Sequence, residues 1–176
     1  RLNHRTFQTT ADDGAVLYGH CILPPNPDPR RKHPVLLYVY GGPHSQLVQQ
    51  RYHGGASAWL YYMAMQGYVV VRLDNRGTSR RGAAFARSVH RNLGELEVID
   101  QLAGLMQLAI EAPAADLDRV GVHGWSYGGY MTLRLMGLAP DQFQVGVVGN
   151  PVTVSSRYET GHADRYIVMP AENGEG

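Results

Sequence analysis

Apolar and polar positions change rhythm along this chain near residue 34. Before that point, Thr6 to Leu23 reads as an antiparallel hairpin. Val16, Leu17, Tyr18, Cys21 and Ile22 favour strands, and Asp12-Asp13-Gly14 supplies the turn. Pro24-Pro25-Asn26-Pro27-Asp28-Pro29 then reads as a stiff, polar, exposed connector. From Pro34 to Tyr40 the residues are continuously apolar until Gly41-Gly42-Pro43, as expected of a strand buried on both faces. Ala56 to Gln66 predicts a helix closed by Gly67, and Tyr68 to Leu73 a second buried strand ended by Asp74-Asn75-Arg76-Gly77. Between Glu95 and Ala112, the positions Leu96, Ile99, Leu102, Leu105, Met106 and Ala109 recur at helical spacing, with Pro113 beyond. Arg119 to His123 predicts a third strand, Tyr130 to Leu138 a helix behind it, and Val145 to Val148 a fourth strand. Strands alternating with helices after an initial hairpin imply an α/β fold, a mostly parallel sheet flanked by helices.

Length and charge narrow the picture only a little. The chain has 176 residues, which suits one domain with a real core. Its net charge of +1 gives no field that would point to nucleic acid or a membrane surface as partner. Only Lys32 is a lysine; the other basic residues are scattered arginines, apart from Arg30-Arg31-Lys32 and Arg80-Arg81, which read as solvated loop charge. No apolar stretch approaches the length of a transmembrane helix. A lone Cys21 rules out an internal disulfide framework and suits a cytoplasmic or a periplasmic location. No metal-ligand spacing or phosphate loop calls for a cofactor or metal. A homo-oligomer is compatible with the sequence.

In open α/β sheets, chemistry sits at the carboxyl ends of the strands. Glycines and polar residues gather there, in Gly41-Gly42-Pro43-His44, Asp74-Asn75-Arg76-Gly77, Gly124 to Gly129 and Asn150-Pro151. Gly124-Trp125-Ser126-Tyr127-Gly128-Gly129 carries the pattern Gly-x-Ser-x-Gly, which is weak alone. Its position between a short buried strand and a helix makes it a candidate nucleophile elbow. The turn lifts the Ser126 hydroxyl above the sheet edge and aims the Tyr127 N–H at a developing oxyanion. A plain strand-to-helix turn is the alternative. His123, inside the preceding strand, reads as a packed core histidine, and His44 as a solvated loop histidine.

Several ordered motifs make a resemblance specific. They are Asp13-Gly14 in the hairpin, Tyr38 to His44, Asp74-Asn75-Arg76-Gly77, Gly124 to Tyr130, Asn150-Pro151-Val152-Thr153, Tyr158 and Arg165-Tyr166. Together they resemble the catalytic α/β-hydrolase domain of the prolyl oligopeptidase family of serine peptidases, in its dipeptidyl peptidase IV branch. The resemblance implies an acyl-enzyme on Ser126, with Tyr127 N–H and the Tyr40 hydroxyl as oxyanion donors; a buried, hydrogen-bonded tyrosine is the other reading of Tyr40. It also implies a substrate pocket walled by Tyr127, Tyr130, Val152, Tyr158, His162 and Tyr166. Two positions depart from the branch. Ser155 stands where it usually has tryptophan, and His162 where it has a second pocket tyrosine. Losing those rings would open the pocket and weaken a preference for proline. The branch also reads a peptide's free amino terminus with a β-propeller domain, expected here in a parent chain.

The triad of such hydrolases runs in the order serine, acid, histidine. After Ser126 the only histidine is His162, which falls in the pocket segment, and the acids are Asp141, Glu159, Asp164, Glu172 and Glu175. The sequence therefore reads as a partial catalytic domain over 1–176, with its acid and histidine in a region beyond, roughly another hundred residues. The expected activity is a serine peptidase of dipeptidyl peptidase or aminopeptidase type, including cleavage after proline. A carboxylesterase or thioesterase of the same fold, and an inert hydrolase fragment, stand beside it.

Overall fold

In a computed structural model of the chain, residues 2–28, 30–50 and 58–154 are described. The elements run β1 (Asn3–Thr10), β2 (Val16–Leu23), β3 (His33–Tyr38), α1 (Ala58–Met65), β4 (Val69–Asp74), α2 (Ala83–Arg87), α3 (Leu96–Glu111), β5 (Ala115–Trp125), α4 (Tyr127–Leu138) and β6 (Val145–Gly149). One six-stranded sheet takes the order β1-β2-β4-β3-β5-β6. β1 and β2 join antiparallel, while β4, β3, β5 and β6 are mutually parallel. The α/β-hydrolase-like architecture expected of the sequence is present.

The hairpin forms where the turn residues require it. Gly14 adopts φ 86°, the Ala15 N–H donates to Oδ1 of Asp13, and the Ala11 N–H donates to the Ala15 carbonyl at 2.8 Å. Every residue of β4 is buried, Arg72 and Asp74 included, and its apolar run Val69-Val70-Val71 faces protein on both sides. Two cores result. Val35, Leu37, Val69, Val71 and Leu73 pack with Leu105, Leu108, Met131 and Leu135 of α3 and α4. On the opposite face, Ile22, Leu36 and Val70 pack with Leu60 and Ala64 of α1.

Four expectations need correction. β5 begins at Ala115, not Arg119, because buried Ala115 and its neighbour Asp116 pair with His33 and Pro34 ahead of the apolar alternation that starts at Val120. α4 begins directly after Ser126, not at Tyr130, because close packing overrides the low helix propensity of Gly128 and Gly129. The buried stripe of α3 is Glu97, Val98, Asp100, Gln101, Gly104, Leu105 and Leu108, while Ile99 and Met106 face outward. Its hidden polar residues serve the site, so a stripe drawn from apolar positions alone is rotated away from the true one. His123 is half-buried rather than core: its ring lies 5.8 Å from Tyr38 and 5.0 Å from Trp59, and Nδ1 is 2.8 Å from the Val147 carbonyl oxygen.

Candidate active site

Ser126 sits on a strained turn at φ 57°, ψ −119°, between the end of β5 and the first residue of α4. Left-handed backbone is costly for a residue with a Cβ, so the surroundings must hold it there. They do so by close approach. A Cβ on Gly124 would fall 2.5 Å from the Val39 carbonyl oxygen, and one on Gly128 would meet that same oxygen and lie 3.1 Å from Cα of Tyr40. The Ser126 N–H donates to the Gly149 carbonyl of β6 at 2.9 Å, and the Ser126 carbonyl accepts the Tyr130 N–H at 3.1 Å. Ser126 thus caps α4, and the Tyr127 N–H, one residue inside, belongs to the helix's first turn, whose amides lack intrahelical acceptors.

The turn after β3 lies alongside. Tyr40 is half-buried, with its ring centroid 6.2 Å from that of Tyr127. Asn75 fixes this turn, donating from Nδ2 to the Gly41 carbonyl at 3.0 Å while Oδ1 accepts from Nε2 of Gln101 at 2.8 Å. Asp74, at the end of β4, accepts the N–H groups of Leu47 and Val48 at 2.7 and 3.0 Å, which pins the loop beyond Pro43.

Helix α3 supplies the remaining bracing. Asp100 is fully buried and receives the Arg76 guanidinium, with Nη2 to Oδ1 at 2.8 Å and both carboxylate oxygens within 3.1 Å of Nε. It also accepts the Arg76 backbone N–H at 2.7 Å. The outer edge of Arg76 reaches Asp12 at 2.7 Å and Asp13 at 3.1 Å, so the β1–β2 turn is clasped to the site loop. The hydrogen bonds from Arg76 to Asp100 raise the already high guanidinium pKa further. Glu97, also fully buried, accepts the Tyr127 hydroxyl at 2.7 Å and the Gly94 N–H at 2.9 Å. Cys21, the chain's other conventional nucleophile type, is a core side chain whose thiol burial pushes up to about 11.

Burial raises the Glu97 pKa, against the opposing pull of its two donors. A carboxyl that is more basic folded than unfolded lets the native state hold its proton longer, so stability falls as pH rises through that interval. Asp74, raised by burial, acts in the same direction. Glu97→Gln keeps an acceptor for Tyr127 but removes the titration. Denaturant titrations from the ordinary glutamate range to neutral pH should show a shallower loss of stability in the variant than in the parent.

The predicted residues fall into three groups. Ser126, Tyr127 and Tyr40 come together at one edge of the sheet. Tyr127 offers only its backbone there, because its ring is 5% exposed and its hydroxyl is engaged by Glu97; as a pocket wall its side chain is withdrawn. Tyr130 is half-buried, packs edge-on against Tyr127 at 5.3 Å and donates its hydroxyl to the Leu93 carbonyl at 3.0 Å; Val152 is half-buried nearby in sequence to β6. Ser155, Tyr158, His162 and Tyr166 lie outside the described residues. His44 is exposed, as expected, at φ 62°. Sequence reading missed Glu97, Asp100 and Gln101; the signal was three polar residues at i, i+3 and i+4, on one face of the helix.

A strained serine between a buried parallel strand and a helix, with a glycine-rich turn beside it, marks an α/β-hydrolase. The chain belongs to the prolyl oligopeptidase family, which it matches over residues 55–176. It is 42% identical over 171 residues to dipeptidyl peptidase 8 of Homo sapiens and of Mus musculus, covering 97% of this chain. It is 38% identical over 176 residues to the probable dipeptidyl-aminopeptidase B of Emericella nidulans, covering 99% of this chain. The chain spans 19% of the length of each of these relatives. Among solved structures, a dipeptidyl aminopeptidase IV-like protein from Bacteroides ovatus matches at TM-score 0.93 and 43% identity, over 99% of this chain and 25% of that one.

Proposed function

We propose that this chain carries the nucleophile of a serine peptidase that cleaves short peptides from their amino end. The observation that carries the reading is Ser126 held at φ 57° at the amino end of α4, next to the Tyr40 turn. The serine oxygen attacks the scissile carbonyl carbon while a histidine takes its proton. The tetrahedral oxyanion is held by the Tyr127 N–H and the Tyr40 hydroxyl. The C–N bond then breaks, the histidine returns its proton to the leaving amine, and water hydrolyses the acyl-serine by the same steps in reverse. Tyr130, Val152, Tyr158, His162 and Tyr166 form the pocket for the side chain at the cleaved bond. With Ser155 and His162 in place of larger rings, small side chains other than proline are accepted. The acid and histidine, and a β-propeller that binds the substrate's amino terminus, belong to the parent protein, in keeping with relatives several times longer.

An elbow of this kind serves esters as well as amides, so the substrate class is tested on the parent protein with alanyl, prolyl and dipeptidyl anilides beside p-nitrophenyl esters. Turnover of the dipeptidyl anilides is expected; ester turnover alone would contradict the reading. Tyr40→Phe removes one oxyanion donor and should lower kcat by about 10²–10³-fold with little change in KM. A loss confined to KM would instead make Tyr40 a binding residue.

A further inference from the structure

The α1-facing side of the sheet changes character along its strands. One row, Ile22 opposite Val70 beside Leu36, packs on α1. Two residues nearer the carboxyl ends of β3 and β4, the row becomes His20 opposite Arg72, with Tyr38 on the next strand and His123 beyond it. A buried apolar floor thus gives way to a basic one, at the sheet end where α/β ligands bind.

Arg72 is 4% exposed. No carboxylate among the described residues forms an ion pair with it. Its hydrogen bond runs from Nη2 to Nδ1 of His20 at 3.0 Å, and its buried Nε has no partner. Asp74 attracts it electrostatically, but both Asp74 oxygens are engaged by the Leu47 and Val48 N–H groups. A guanidinium is permanently charged, and charge this deeply buried is ordinarily paired.

The neighbouring imidazoles extend the donor array. A guanidinium only donates, so Nδ1 of His20 accepts and its proton sits on Nε2. That nitrogen donates to Nδ1 of His4 at 3.2 Å, which leaves the His4 proton on Nε2. The His4 ring is held between His20 at 5.3 Å and Tyr61 at 5.6 Å. Arg72, His20, His4, Tyr61 and Gln49 line one cavity of about 280 Å³, whose described lining carries no acid.

We propose that Arg72, His20 and His4 form a binding site for a small oxyanion, a carboxylate or a phosphate, separate from Ser126. The anion supplies a counter-charge beyond the attraction of Asp74, with the Arg72 guanidinium and the His4 Nε2–H as its donors and His20, engaged at both nitrogens, as the link that holds them together.

The test is a titration of the full chain with inorganic phosphate and, separately, with acetate, chloride holding ionic strength constant. Thermal unfolding and the NMR signals of His4 and His20 are the readouts. A saturable rise in Tm with displacement of both imidazole signals is expected, with no response to chloride. The oxyanion that saturates at lower concentration identifies the ligand class. Arg72→Met should abolish the saturable response, and His4→Gln, at the exposed outer end, should weaken its midpoint at least tenfold. Ser126→Ala should leave it unchanged, which keeps this site distinguishable from the peptidase reading. Absence of saturation, or an equal response in His4→Gln and the parent, would overturn the proposal even if Arg72→Met fails to fold.

Discussion

Replacing Ser126 by alanine should lower turnover of a peptide anilide by roughly a million-fold in the parent protein. The expectation follows from the elbow. A left-handed serine is tolerated only because the Gly124 and Gly128 backbones let β5, α4 and the Val39 carbonyl close around it. Removing its oxygen leaves that scaffold intact but removes the atom to which the acyl group is transferred. Rate above the uncatalysed reaction should persist at about 10³–10⁴-fold, from the oxyanion donors and substrate positioning. Competitive product binding should be unchanged. A fall of only tenfold, measured with equal folded fraction by denaturant titration, would mean that another group attacks.

Asp100→Ala should destabilise the protein by about 3–5 kcal/mol, the usual cost of removing one partner of a buried ion pair. Both side chains are nearly inaccessible, at 4% for Arg76 and 0% for Asp100. The same carboxylate accepts the Arg76 N–H, so its loss also frees the backbone of the loop after β4. Asp12→Asn provides the contrast. Asp12 meets the same guanidinium at a similar 2.7 Å but is 64% exposed, so its removal should cost no more than about 1 kcal/mol. Equal effects, read from denaturant midpoints, would show that burial is not what separates the two contacts. Because the loop carries Asn75, which holds the Gly41 carbonyl, Asp100→Ala should also lower turnover among molecules that remain folded.

Much of the fold was readable because its central strands are buried on both faces. The apolar runs at Val35 to Leu37 and Val69 to Val71 leave few other placements, and Asp12-Asp13-Gly14 can hardly be anything but a turn. The elbow was readable because sterics demand glycine at Gly124 and Gly128. What escaped reading was polar and buried. Glu97, Asp100 and Gln101 look like surface residues in a pattern based on hydrophobicity, yet each is fully buried by partners distant in sequence: Tyr127, Arg76 and Asn75. Arg72 passes unremarked within the predicted strand Tyr68 to Leu73 and proves to be a buried charge beside two histidines. The ring of Tyr127, which the family resemblance puts on or near the pocket wall, is buried, its hydroxyl drawn inward by a carboxylate from another helix. The i, i+3, i+4 spacing of Glu97, Asp100 and Gln101 marks one face of a helix, but hydrophobicity alone does not say that this face is the buried one.

The nucleophilic role of Ser126 is open to direct chemical test. A fluorophosphonate probe, applied to the parent protein and followed by peptide mass mapping, tests it most directly. One phosphonyl adduct is expected, on the peptide containing Gly124 to Gly129, and none in Ser126→Ala. An adduct on another residue, or undiminished labelling of the variant, would contradict it.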